Sequence, residues 1–113
     1  MAAINRGDIF DADLPGIGRR PVLVVSRQQA IYHSTTVVVA AVTGRIRDRP
    51  GEVALGTEHG LQRASVADCN ELYTVPKGAL SRRRRGSLEV STLLELDRAL
   101  MTALGIGSFP GAL

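Results

Sequence analysis

The stretch TTVVVAAVT, Thr35–Thr43, constrains this chain more than any other segment. Val37–Val42 is the longest uninterrupted apolar run, and its β-branched neighbours favour extended backbone. Side chains alternate faces along a strand, so an apolar run of this kind buries both faces. That predicts a central strand, covered on each side. The run is also far shorter than the ~20 residues a membrane helix needs, so no membrane partner is expected.

The flanking segments are predicted around that strand. RGDIFDADL (6–14) is a first strand, PGIG (15–18) a turn, and RPVLVVS (20–26) a second strand opened by Arg20. Pro21 is tolerable there only near a strand start or at an edge. Residues 27–34 carry no strong signal and are expected to be a loop with at most one helical turn, and GRIRDRPG (44–51) is a basic loop. EVALG (52–56) is a short strand, and ASVADCNELYTV (64–75) is a bent or bulged one ended by Pro76. KGAL holds a single helical turn, and RRRRGSLEV (82–90) is an arginine-rich edge strand.

One segment has helical spacing. Leu93, Leu96, Leu100, Ala103 and Leu104 recur on one side, with Thr92 and Glu95 as a capping box and Gly105 as the stop. Residues 107–113 are expected to form a mobile, turn-rich tail. With 113 residues the chain has room for one core, so residues 1–113 are expected to be a single domain. Its class is mainly β (α+β): a small barrel-like sheet with a C-terminal helix.

Charge and cysteine usage narrow the chemistry. The net charge is +3, Lys77 is the one lysine, and arginines gather at 19–20, 45–49 and 82–85. Arginine is the side chain that grips phosphate with a two-pronged fork. The lone Cys69 rules out an internal disulfide framework, and MAAINRGDIF lacks the apolar middle of a signal peptide; both favour a cytoplasmic location. Two isolated histidines and one cysteine make no ligand spacing, so neither a metal nor another cofactor is expected.

If 20–26 and 35–43 pair antiparallel, the start of one lies beside the end of the other. Arg20 and Thr43 then meet at one rim. A guanidinium and a hydroxyl together offer three donors to a phosphate. Such a site suits RNA, whose ribose 2′-hydroxyl attacks its own neighbouring phosphate and needs no outside nucleophile. The protein must then align the phosphate and stabilise the added charge of the five-coordinate state. The bland alternative is a strand-flanking arginine and a threonine chosen for β-propensity.

RGDIFDADL, RPVLVVS, TTVVVAAVT, GLQRASV, LYTVPKGAL and LDRALMTALG follow one another as in the MazF/PemK family of toxin endoribonucleases, which the chain resembles over about residues 6–106. The resemblance implies an SH3-like barrel of the MazF/CcdB/PemK type that forms a homodimer and is silenced by a cognate, MazE-like antitoxin. It implies metal-independent, sequence-specific cleavage of single-stranded RNA to a 2′,3′-cyclic phosphate. It also implies that Arg20 and Thr43 are the catalytic pair. Arg20 would stabilise phosphorane charge and take part in proton transfer; Thr43 would orient the phosphate or a reacting hydroxyl.

Two departures from the family stand out. The first loop, PGIGR, is short and has no counterpart of a family glutamate. NELYTVPKGAL replaces a family EQIRTVDKSRL, so Glu71 stands for a glutamine and Tyr73 for an arginine.

Arg19, Arg45, Arg47, Arg49, Glu71 and Tyr73 are the candidate RNA contacts, with Arg19 an electrostatic helper and Tyr73 able to stack on a base. Arg82–Arg85 are expected mainly to be a solvated edge. His33 and His59 fall on no family catalytic position, Cys69 is a buried small hydrophobe, and Asp8 and Asp13 are strand-end and turn residues. The competing readings are a non-enzymatic, CcdB-like protein-binding toxin that poisons gyrase, and a catalytically silent member that still binds antitoxin.

Overall fold

A computed structural model of the protein describes residues 3–107. Six strands form one antiparallel sheet: β1 (Asp8–Leu14), β2 (Gly18–Val24), β3 (Thr36–Thr43), β4 (Glu52–Leu55), β5 (Ser65–Pro76) and β6 (Gly86–Ser87). Their spatial order is β4-β5-β3-β2-β1-β6, which puts the doubly apolar β3 inside the sheet. Two α-helices, α1 (Gln28–His33) and α2 (Val90–Leu104), and two 3-10 turns, Thr57–His59 and Lys77–Ala79, the latter the turn expected in KGAL, complete the described chain.

Strand alternation sorts the core onto the two faces of the sheet. Ile9, Leu23, Val25, Ala40 and Val42 join Leu96 and Ala99 of α2 on one face. Phe10, Ala12, Val22, Val24, Val39 and Ala41 pack with Ile31 of α1 on the other. The apolar run of β3 is thus divided between two cores, which explains why it carries no polar residue.

The sheet is curled into a half-barrel. β5 bends where Ala40 faces Leu72 but Ala41 faces Asp68, leaving Cys69, Asn70 and Glu71 without counterparts on β3. At the other end, the turn after β4 closes against the start of β6. Gly60 (φ 80°) abuts the Arg85 carbonyl and Gly86 abuts that of His59, so a side chain at either position would collide with backbone. Glycine is needed at Gly60 for its left-handed backbone as well.

Some boundaries differ from the sequence-based expectation. β2 begins at Gly18, so Arg19 and Arg20 lie within it, paired to Asp13 and Ala12 of β1. Pro21 is accommodated because β2 pairs with β3 only from Val22 onward, so the missing N–H falls beyond that ladder.

Residues 82–85 are not strand. Only Gly86 and Ser87 pair with β1, while Arg84 and Arg85 turn to Asp8 and Asp11 at 3.4 and 2.9 Å. Segment 28–33 forms the short helix α1.

Glu89 rather than Thr92 occupies the N-cap position of α2, without a side-chain bond to a helix N–H, and the Thr92 hydroxyl donates to its carboxylate from inside the first turn. The Leu88 N–H is tied to the Gly7 carbonyl at 3.0 Å, and the helix starts almost as soon as the chain leaves that anchor. Gly105 (φ 70°) ends α2 as expected, while Leu104 points outward at 56% exposure. The expected tail falls almost wholly outside the described residues.

Candidate active site at the open end of the sheet

The β2–β3 ladder ends at Val22–Ala41, and its register runs on to place Arg20 opposite Thr43. Arg20 shares its face with Val22 and Val24, and Thr43 shares its face with Val39 and Ala41. Both side chains therefore leave the sheet on one side, where the apolar rows give out. The two residues line both grooves that flank this rim.

One groove, of about 300 Å³, is completed by Pro21, Val42, Gly44, Leu61, Gln62, Arg63, Ser65 and Arg85. The other, of about 260 Å³, is completed by Ile17, Ala41, Arg45, Arg47, Asp68 and Glu71. The first is lined by guanidinium groups without a carboxylate. The second sets Asp68 and Glu71 against Arg20, Arg45 and Arg47.

Two details make Arg20 and Thr43 unlike ordinary rim residues. Arg20 Nε is shut away from solvent without a hydrogen-bond partner among the described residues. An unsatisfied buried donor costs about 1–3 kcal/mol, so this nitrogen, like the Arg49 Nε buried in the same way, detracts from stability. The Thr43 Oγ1 accepts the Arg45 N–H at 3.1 Å, which fixes the hydroxyl and leaves its own hydrogen to donate elsewhere.

The other candidates occupy several environments. Arg19 faces Asp13 at 3.8 Å on the exposed β1–β2 hairpin. Arg45 and Arg47 lie on the loop leaving Thr43, and the Arg47 N–H is held by Glu52 at 3.3 Å. Arg49 instead grips Asp68, Nη2 to Oδ2, at 2.6 Å and anchors that loop to β5. The hydrogen bond to Asp68 raises the Arg49 pKa above its usual value. Burial pushes the Asp68 carboxyl up, but hydrogen bonds from Arg49 and from the Asn70 N–H and side chain outweigh it and hold Asp68 below the usual carboxylate range.

Tyr73 is half-buried, and its hydroxyl donates to Glu71 at 3.4 Å. Burial, with the Glu71 charge beside it, pushes the phenol up, so Tyr73 stays neutral. Burial also raises the Cys69 thiol to about 11, as suits a core residue rather than a nucleophile.

His59 is buried away from the site. Its Nδ1 accepts the Gly56 N–H at 3.2 Å, and its Nε2 lies 3.2 Å from Glu89. Among the described residues no three His, Cys, Asp or Glu side chains converge as a metal site, and no helix is long and apolar enough to cross a membrane.

Sequence reasoning missed Asp68, Gly44, Gln62, Arg63 and Ser65, and gave Arg85 RNA or antitoxin contact only as the lesser reading. The signal was the pairing of β5 with β3, Thr43 opposite Val66, which returns the residues before β5 to the side of Thr43.

This arrangement has relatives. Residues 5–104 match the family of PemK-like, MazF-like toxins of type II toxin–antitoxin systems. The endoribonuclease MazF of Staphylococcus epidermidis is 31% identical over 115 aligned positions, covering 94% of this chain and 95% of that protein. Among solved structures, the Mycobacterium tuberculosis toxin MazF-mt6 superposes with a TM-score of 0.80 at 32% identity, over 88% of this chain and 97% of the other. A mycobacterial endoribonuclease solved in complex with its cognate antitoxin gives 0.83 at 31% identity, over 96% and 100%. The chain belongs to the PemK-like, MazF-like toxin family.

Proposed function

We propose that this protein is the toxin of a cytoplasmic toxin–antitoxin pair and cleaves single-stranded RNA at a short sequence, with Arg20 and Thr43 as its catalytic pair. The observation that carries the reading is their placement: one guanidinium and one fixed hydroxyl, on the same face, between two grooves. Two of the named relatives are endoribonucleases, one of them solved with an antitoxin, which supports the same activity and kind of partner here. A homodimer accompanies this reading.

The chemistry follows from what the pair can donate. The attacking oxygen is the ribose 2′-hydroxyl, so the strand supplies its own nucleophile. The phosphorus–2′-oxygen bond forms as the bond to the 5′-oxygen breaks. The 2′-oxygen gives up its proton and the 5′-oxygen takes one up, with Arg20 taking part in the transfer, which leaves a 2′,3′-cyclic phosphate and a free 5′-hydroxyl. Arg20 gives two N–H bonds to the equatorial oxygens as negative charge builds, the point at which fixed donors matter most. Thr43 donates a third and aligns the phosphate. Arg45 and Arg47 hold flanking backbone, Arg19 adds charge, and Glu71 with Tyr73 contacts the bases. Arg49 contributes by fixing the loop.

The test is incubation of purified protein with a long RNA in EDTA, followed by mapping of every cut end. Cuts at one short motif are expected to persist in the chelator. Intact RNA from a folded protein, across a substrate containing all short motifs, contradicts the activity; a requirement for added divalent metal contradicts the mechanism.

A further inference from the structure

Arg63 sits in the turn before β5 and lines the groove that Gly44, Ser65 and Arg85 also line. Its guanidinium fills the space a side chain at position 44 would need. A Cβ on Gly44 would lie 2.7 Å from Arg63 Nε, 2.8 Å from Nη2 and 3.0 Å from Cζ. Gly44 directly follows Thr43, so this charge is parked one residue from the site threonine. The Ser65 hydroxyl donates to the Arg63 carbonyl at 3.1 Å and steadies the turn that carries it.

Among the described residues the Arg63 charge, like those of Arg20, Arg45 and Arg47, meets no carboxylate, whereas other arginines are paired. Arg85 is tied to Asp11 at 2.9 Å, Arg49 to Asp68 at 2.6 Å and Arg19 to Asp13 at 3.8 Å. No carboxylate lines the groove that holds Arg63, whereas the opposite groove holds Asp68 and Glu71. A strand crossing the rim thus meets one wall suited to phosphate alone and another carrying both signs, where base edges can be read.

Resting on the ribonuclease reading, we infer that Arg63 binds the phosphate next to the scissile one, and that Gly44 lacks a side chain so that this guanidinium can lie there. A methyl at position 44 would displace only the end of a flexible side chain, so Gly44→Ala moves Arg63 at little cost to the fold.

The experiment uses a labelled, random-sequence 2′-O-methyl RNA strand, whose blocked hydroxyl prevents cleavage, with binding followed across salt concentrations. Wild type is expected to bind with a steep salt dependence. Arg63→Gln should weaken binding about three- to tenfold and reduce the log–log salt slope by about 0.7, the loss of one single-strand phosphate contact. Gly44→Ala should do the same with an unchanged melting temperature, and the double variant should add nothing further. On cleavable RNA both should raise KM with little change in kcat.

Wild-type binding by Arg63→Gln, in a protein that still cuts RNA, overturns the role of Arg63 and spares the activity. Wild-type binding by Gly44→Ala, or additive effects in the double variant, overturns its positioning by Gly44. A wild-type protein that neither binds nor cuts RNA overturns both readings.

Discussion

Arg20 keeps a buried nitrogen without a partner, and that is a cost to the folded state. Replacing it by an apolar residue of similar length removes the cost along with the charge. Arg20→Met is therefore expected to melt no lower than wild type while losing cleavage by about 10²–10³-fold, the scale seen when one transition-state donor is removed. Thermal melts beside a cleavage assay check both halves. A variant that unfolds would show that the guanidinium serves stability instead.

Asp68 yields a pH prediction of definite sign. Its carboxyl is held below the ordinary value in the folded chain, so it stabilises fully above the unfolded value of about 4. That contribution is lost as pH falls through the folded value. Asp68→Asn should be clearly less stable than wild type at neutral pH, with the gap narrowing below about pH 4 in denaturant melts. A gap independent of pH would contradict the assigned ion pair. Asp68 and Arg49 lie apart in sequence and meet through the β4–β5 fold-back, which is why Arg49 reads from sequence as an RNA contact and not as a loop anchor.

At the scale of elements, strand parity was the most readable signal. It placed β3 in the middle and set Arg20 beside Thr43, because both conclusions need only alternation and one antiparallel pairing. Neighbour-dependent features were not readable. The capping box at Thr92 and Glu95 has the right spacing, yet Glu89 takes the N-cap position, its carboxylate met by Thr92 from within the helix and by the distant His59. The arginines of 82–85 looked like an edge strand until Asp8 and Asp11 of β1 drew two of them aside.

α2 is held by burial of one face, with Leu96 fully buried among Ile9, Leu23 and Val53. Leu96→Ala should cost about 2–5 kcal/mol of unfolding free energy, the usual range for a buried leucine. A loss well under 1 kcal/mol would mean that α2 packs more loosely than its burial implies.

At the scale of the whole molecule, the half-barrel offers a physical reason for the site's location. Pro21 stops the β2–β3 ladder, the bend in β5 carries Asp68 and Glu71 to the opening, and the Gly60–Gly86 contact brings the turn before Arg63 round to its other side. The juxtaposition of Arg20 and Thr43, the proposed catalytic pair, was legible because two strands suffice to define it. The grooves were not, because they need a third strand, the loops beside it and a closed seam.

The central claim is that Arg20 and Thr43 together drive attack by the ribose 2′-hydroxyl. Its most direct test is end-group analysis of cleaved RNA at saturating enzyme, comparing wild type with Arg20→Ala and Thr43→Ala. Wild type should leave 2′,3′-cyclic phosphate and 5′-hydroxyl ends, and each folded variant should cut far more slowly at the same sites. Ends bearing a 5′-phosphate, or wild-type rates in both variants, would contradict it.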